Sequence, residues 1–298
     1  MGLEWKKQVT AYMFILPLLL VFAVFLLYSL IFLLKTGFEY GDISFLHSKY
    51  VGLDNYRQVL TDVKFFKSIW NNIVFSAATI VISMTLGFLI SVFLWLKFPG
   101  SRALHALFFI PTIMPMALIA TVFSGMLEYR FGALNQFLES IGMGFLAQQW
   151  LGDPNWAYVS VMGIGIYLIG IPMMYYSADI TTINPSVLEA AVLEGAGMTR
   201  MLGFIIFPLL KNAHKTIIIS TLLQSFREFE RIYLMTGGGP GDSTQISSVY
   251  LYNFIHSAGS NIGFVSAGSV ILLLVALVIS LFQLRMYAPS QSRKGKAT

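Results

Sequence analysis

Residues 185–211 read PSVLEAAVLEGAGMTRMLGFIIFPLLK, from Pro185 to Lys211. This polar stretch lies between long apolar runs and still carries helix signals. Ser186 and Glu189 have the S-x-x-E spacing of a capping box, with Pro185 just before it. Val187, Leu188, Ala190, Ala191 and Leu193 continue as helix-forming residues, and Gly195 and Gly197 stop the helix. The spacing predicts a short helix, a glycine turn, and a second apolar segment broken at Pro208. A short helix held between two membrane spans serves either as a plain connector, with Glu189 only capping its own helix, or as a contact element.

Working outward, the chain is 56% hydrophobic and 11% charged, far from a soluble globular composition. Uncharged runs fill 11–34, 68–96, 103–127, 154–178 and 264–284, and 201–234 is apolar but interrupted by charges. A bilayer crossing needs about 20 residues. The expected fold class is therefore all-α, a polytopic membrane protein with six transmembrane helices, the fifth the least regular. The first run is too long, and too poorly followed by small residues, for a cleaved signal peptide.

Orientation follows from Lys and Arg. Lys6, Lys7, Lys97, Arg102, Arg200, Lys211, Lys215, Arg285, Arg293, Lys294 and Lys296 fall on one side when the N-terminus is placed inside. Lys35, Lys49, Arg57, Lys64, Lys67, Arg130, Arg227 and Arg231 fall on or border the other side with most of the acidic residues, so the basic count is a modest bias, and the terminal clusters and the loop around Arg200 decide it. This bias places both termini, the 97–102 turn and the Glu189 loop in the cytoplasm. The pI near 9.3 reflects the same bias; no basic motif with interleaved aromatics points to nucleic acid. One transmembrane domain is expected over 1–298. It comprises a lead and first span (1–35), an external segment (36–66), core spans two to six (67–285) and a cytoplasmic tail (286–298). Trp5, Lys6 and Lys7 form a polar lead over 1–10, and Lys294 and Lys296 a disordered tail.

Several features are excluded. The chain has no cysteine, so it has no disulfide and no thiolate metal site. His47, His105, His214 and His256 lie in separate segments, so no metal site is expected. No G-x-S-x-G or other catalytic constellation appears. The glycines at 237–239 are not followed by Gly-Lys-Ser/Thr, so they are no phosphate loop.

Some features have a bland and a functional reading. Asn72 in the second run is either interhelical glue or a pore-lining group. Pro111 and Pro115 should bend the third span. Gly163, Gly165, Gly170 and Pro172 in the fourth allow close helix approach. The fifth span, about 212–234, ends in Gln224, Ser225, Arg227, Glu228, Glu230 and Arg231. On a continuous helix Arg227–Glu230 and Glu228–Arg231 are i,i+3 neighbours, so the cluster either neutralises itself or lines a polar pathway.

Glu189-Ala190-Ala191, followed by Gly195, Ile205 and Phe207-Pro208, closely resembles the EAA loop of ABC importer permeases, with Phe207 where the family usually has Leu. Glu194-Gly195-Ala196 is similar to the Asp-Gly-Ala that often follows. Val51-Gly52-Leu53-Asp54-Asn55-Tyr56 resembles the family's VGLxNY segment. Gly132, Asn135 and the Trp150–Pro154 run resemble its outer loop. Phe229–Pro240 resembles F-D-x-I-x-x-L-T-x-G-G-P, with Glu230 for Asp and Met235 for Leu. The resemblance spans 51–285 and points to the maltose-type carbohydrate-uptake branch.

It implies a type I importer transmembrane domain in a bacterial cytoplasmic membrane. The implied partners are a second, paralogous permease, two ATPase subunits that bind ATP and Mg, and an extracytoplasmic solute-binding protein. This chain itself would hold no cofactor and be no enzyme. Glu189, Ala190, Ala191, Glu194, Gly195, Ala196 and Gly197 would dock on the ATPase. Asn72, Gln224, Ser225, Arg227, Glu228, Glu230 and Arg231 are candidates for the solute pathway. An ion-driven secondary transporter would need an intramembrane ionisable site, and only the span-five cluster offers one.

Overall fold

The computed structural model describes residues 2–44, 47–257, 259 and 261–287. The expected tail positions Arg293, Lys294 and Lys296 lie outside the described residues. In order, the helices are α1 (Gly2–Phe22), α2 (Tyr28–Gly37), α3 (Asp54–Thr61), α4 (Val63–Trp95), α5 (Ser101–Phe109), α6 (Met116–Met126), α7 (Ala133–Ser140) and α8 (Pro154–Tyr167). There follow α9 (Gly170–Ile180), α10 (Pro185–Leu193), α11 (Met198–Met201), α12 (Phe207–Leu209), α13 (Lys211–Arg227), α14 (Glu230–Thr236), α15 (Ser247–Ile255) and α16 (Ile262–Tyr287). Strands among the described residues are two short ones, β1 (Glu39–Tyr40) and β2 (Lys49–Tyr50), paired antiparallel with Glu39 opposite Tyr50.

The class is all-α. Three helical stretches are long and apolar enough to cross a membrane alone: Tyr12–Gly37, Val63–Trp95 and Ile262–Phe282. Three bent pairs allow the count of six. Ser101–Ile113 with Met116–Met126 bends by 100°, Pro154–Tyr167 with Gly170–Ile180 by 44°, and Met198–Leu209 with Lys211–Arg227 by 66°. The first bend is the expected effect of Pro111 and Pro115. A 3-10 turn over Ile110–Ile113 carries Pro111, and Pro115 leaves the helix with extended ψ at 136°. The N-terminal lead departs from expectation. It is helical from Gly2 and runs into the first span, with a π-helical turn at Ala23–Leu27.

Contacts divide the chain into two units, 1–66 with 251–277, and 67–250 with 278–298. In the smaller unit the VGLDNY segment is a clasp. Gly52 takes φ +62°, and Asn55, 1% exposed, donates to Gly37 O at 3.0 Å and Glu39 O at 2.9 Å. Its Oδ1 accepts from Asn261 Nδ2 at 2.7 Å.

In the larger unit one apolar core joins Phe75, Ile119, Ala120, Val161, Ile164 and Ile232, and a second joins Phe88, Tyr176, Ile206, Leu210 and Ile217. The fourth-span glycines divide in role. A Cβ on Gly170 would sit 2.4 Å from Phe108 O and 2.7 Å from Thr112 Cγ2, so α9 meets the end of α5 through bare backbone. Pro172 meets Gly87 on α4 in the same way, with a Cβ on Gly87 falling 2.8 Å from Pro172 Cβ. Gly163 and Gly165 have nothing within 4 Å of a Cβ, which corrects the expectation of close approach there. The loop over 128–153 is tied together by buried Asn135, which donates to Tyr129 O and Gln148 O and accepts from Trp150 Nε1 at 2.7 Å.

Candidate functional site

Two features of the larger unit carry candidate function, one at each end of α13. The first is the α10 loop. Its N-cap is Asn184, whose Oδ1 accepts from Ser186 N at 3.1 Å, and Pro185 fills the first helical position. This corrects the capping-box register: Ser186 lies inside the helix, so Glu189 caps nothing. The Asn184 side chain already meets the first free N–H group. Glu189 is left exposed on a nine-residue helix.

Gly195, at φ +79°, ends α10 in a Schellman turn. Ala196 N donates to Ala191 O at 2.9 Å and Gly195 N to Val192 O at 3.0 Å. Nothing lies within 4 Å of a Cβ on Gly195, so the left-handed backbone alone asks for glycine there. Gly197, in extended backbone, starts α11. Within the loop Ala191 is buried, while Glu189, Ala190, Glu194, Gly195 and Gly197 are exposed and Ala196 is half-buried. The loop therefore presents a mixed face outward, in which Glu189, Ala190 and Glu194 stand beside the exposed apolar side chains of Val192, Leu193 and Met198.

Both roots of the loop are tied together. Asp179, at the end of α9, accepts from Ala213 N at 3.0 Å, capping the start of α13. His214 lies 2.7 Å from Phe207 O through Nε2 and 2.7 Å from the Tyr176 hydroxyl through Nδ1. A carbonyl can only accept, so Nε2 carries the proton and Nδ1 accepts from Tyr176. His214 is thus a satisfied core residue. Residues 181–210 form a stapled excursion whose base cannot move without α9 and α13.

The second feature is a cavity of about 400 Å³. Thr79 and Ser83 on α4, Thr112 before α6, Tyr175 on α9, and Ser220, Thr221, Gln224 and Ser225 on α13 supply its polar wall. Glu228 and Arg231 close it. An adjoining recess of about 600 Å³ shares Met116, Ser220, Gln224 and Glu228 and adds Arg227 and Glu230.

The span-five cluster differs from the continuous helix read from sequence. The α13 helix stops at Arg227; Glu228 has ψ 132° and Phe229 φ −146° before α14 resumes. The break still lets Glu228 and Arg231 pair. Arg231 Nη2 is 2.9 Å from Glu228 Oε2, and both residues are nearly buried. The guanidinium also lies 4.7 Å over the Phe75 ring, and its Nε has no partner. Arg227 and Glu230 do not pair with each other; both are exposed, facing the recess. Asn72 lies off both cavities. Buried at 1% exposure, it accepts from Ser247 N at 3.0 Å and reaches Ser225 O at 3.4 Å, so it ties α4 to the start of α15.

Sequence reading did not single out Thr79, Ser83, Thr112, Tyr175, Ser220 and Thr221. Their signal was present: Thr79/Ser83, Ser220/Gln224 and Thr221/Ser225 are i,i+4 pairs that put small polar groups on single helix faces within apolar runs.

No protein-family model matches the chain. The probable ABC transporter permease protein YurN of Bacillus subtilis is 29% identical over 287 residues, covering 95% of this chain and 97% of that protein. The trehalose/maltose transport system permease protein MalF of Thermococcus litoralis is 28% identical, covering 95% of each. Among solved structures, a bacterial ABC transporter involved in the import of the acidic polysaccharide alginate superposes with a TM-score of 0.81 at 22% identity, covering 95% of this chain and 96% of that one. Relatives matched along nearly their whole length, a shared fold and the EAA-type loop agree. The chain is a permease subunit, a multi-pass membrane transport component rather than an enzyme, of an ABC importer of the maltose-type carbohydrate-uptake family.

Proposed function

We propose that this chain, working as one permease domain, forms half of a pathway for a sugar or oligosaccharide and takes its drive through the α10 loop. The observation that carries the reading is the position of α13. Its N-terminal end is stapled to the root of the loop through Ala213 and His214, and its C-terminal turns, with Gln224 and Ser225, line the cavity. Seventeen residues span about 26 Å at 1.5 Å per residue, so one rigid helix connects the two features. A cytoplasmic ATPase that grips Glu189, Ala190, Ala191 and Glu194 would move the cavity wall as one body.

Both termini and the α10 loop then face the cytoplasm, in a bacterial cytoplasmic membrane. The partners are a paralogous permease, two ATPase subunits that hold ATP and Mg, and a solute-binding protein outside; this chain carries no cofactor. The relatives named as trehalose/maltose and arabinooligosaccharide permeases support a carbohydrate solute. An ion-coupled mechanism is less well served, because Glu228 is already held in an ion pair. The test is purification of the chain with its partners and reconstitution in liposomes. A nucleotide-binding ATPase should copurify, and uptake of the delivered sugar should need ATP. Uptake driven by an ion gradient without ATP would overturn the reading.

A further inference from the structure

We propose that the cavity selects an uncharged, hydroxyl-rich solute and that Glu228 is the residue that excludes anions; the inference rests on the carbohydrate reading above. Four of the wall's hydroxyls have already committed their hydrogens. Thr79 Oγ1 donates to Phe75 O at 2.8 Å, Thr112 Oγ1 to Phe109 O at 2.7 Å, Ser220 Oγ to Thr216 O at 2.7 Å and Ser225 Oγ to Thr221 O at 2.8 Å. A hydroxyl has one hydrogen and two lone pairs. These four therefore offer the cavity acceptors only, and the Glu228 carboxylate adds more. Ser83, Thr221, Tyr175 and the Gln224 amide add groups that can donate, so the wall as a whole is mixed. A sugar hydroxyl, donor and acceptor at once, matches both kinds of group, whereas a carboxylate or sulfate brings acceptors alone and leaves the committed hydroxyls and Glu228 unmatched.

The cation that lines the cavity is Arg231, and it is engaged. Its Nη2 is 2.9 Å from Glu228 Oε2, its face rests on Phe75, and the residue is 4% exposed. An anionic solute would have to displace Glu228 and leave a buried carboxylate without its partner, which is strongly unfavourable. In the adjoining recess Arg227 and Glu230 again carry opposite charges. The four charges lining the two spaces balance, so no net positive charge draws an anion inward. Discrimination of this kind comes from the repulsive alternative as much as from the attractive contact.

The experiment uses the assembled importer with its partner chains, in detergent. It measures retention of neutral trisaccharides (maltotriose, cellotriose, xylotriose) against trigalacturonate by gel filtration and mass spectrometry. The wild type should retain at least one neutral trisaccharide with about tenfold or greater preference over trigalacturonate. E228Q frees the Arg231 guanidinium and should shift that preference toward the uronate by about tenfold or more. E228D, which keeps the charge, should retain the neutral preference. Equal or better wild-type retention of trigalacturonate overturns the proposal, and this result needs no variant to fold. An unchanged preference in assembled E228Q overturns the role of Glu228. Retention of neither class overturns the carbohydrate reading, and the inference with it.

Discussion

Replacing Gly195 by alanine tests whether the α10 loop depends on backbone conformation alone. Gly195 sits at φ +79° and a Cβ there meets nothing within 4 Å, so the penalty has no steric part from neighbours. A left-handed conformation costs an L-residue about 1–2 kcal/mol. That strain falls on the turn holding Ala196 N to Ala191 O and Gly195 N to Val192 O. The helix it closes has nine residues, too short to persist in water without its caps and packing. A loss of about 1–2 kcal/mol raises the open population of the loop roughly 5–30-fold. Hydrogen exchange of the peptide covering 185–200 in the purified importer should accelerate by that factor in Gly195→Ala, while peptides from α4 and α16 stay unchanged. Gly195→Asn should accelerate it less, because asparagine tolerates the left-handed region. ATP-driven uptake per assembled complex should fall in the same order, alanine below asparagine below glycine. Unchanged exchange in the alanine variant, or equal effects of alanine and asparagine, would refute the reasoning.

Two further outcomes are expected. Gly170→Ala places a methyl 2.4 Å from Phe108 O and should lower stability in detergent unfolding by about 1–3 kcal/mol, whereas Gly163→Ala, with open space at the Cβ, should be neutral or slightly stabilising. Because the chain lacks cysteine, Ser140→Cys and Ser186→Cys can be labelled singly with a membrane-impermeant maleimide; Ser140→Cys should react from outside in intact cells and Ser186→Cys only after the cells are opened. Labelling of both from one side would remove the six-span topology.

The sequence by itself determined the class, the positions of the spans and the family. Runs such as 68–96 and 264–284 have no alternative to membrane helices, because only a helix satisfies its own backbone in lipid. Gly195 and the stop of α10 were legible for the same reason: the signal is local. The N-cap was also local but shifted, with Asn184 in place of Ser186. Competing polar residues two apart cannot be ranked until the chain direction entering the helix is known.

Only the tertiary structure decided what the polar residues inside the spans do. Asn72, Gln224 and Arg231 look alike in a string of apolar neighbours, yet the first holds a buried backbone N–H, the second lines open space and the third is held by Glu228. The break at Glu228 and Phe229 carries no proline or glycine to announce it. It lets α14 pack its own apolar face, through Ile232 and Met235, into the core with Phe75 and Ile119. A polar group's role in a membrane depends on which partner or cavity faces it, and that is set by helix–helix packing among segments far apart in the chain.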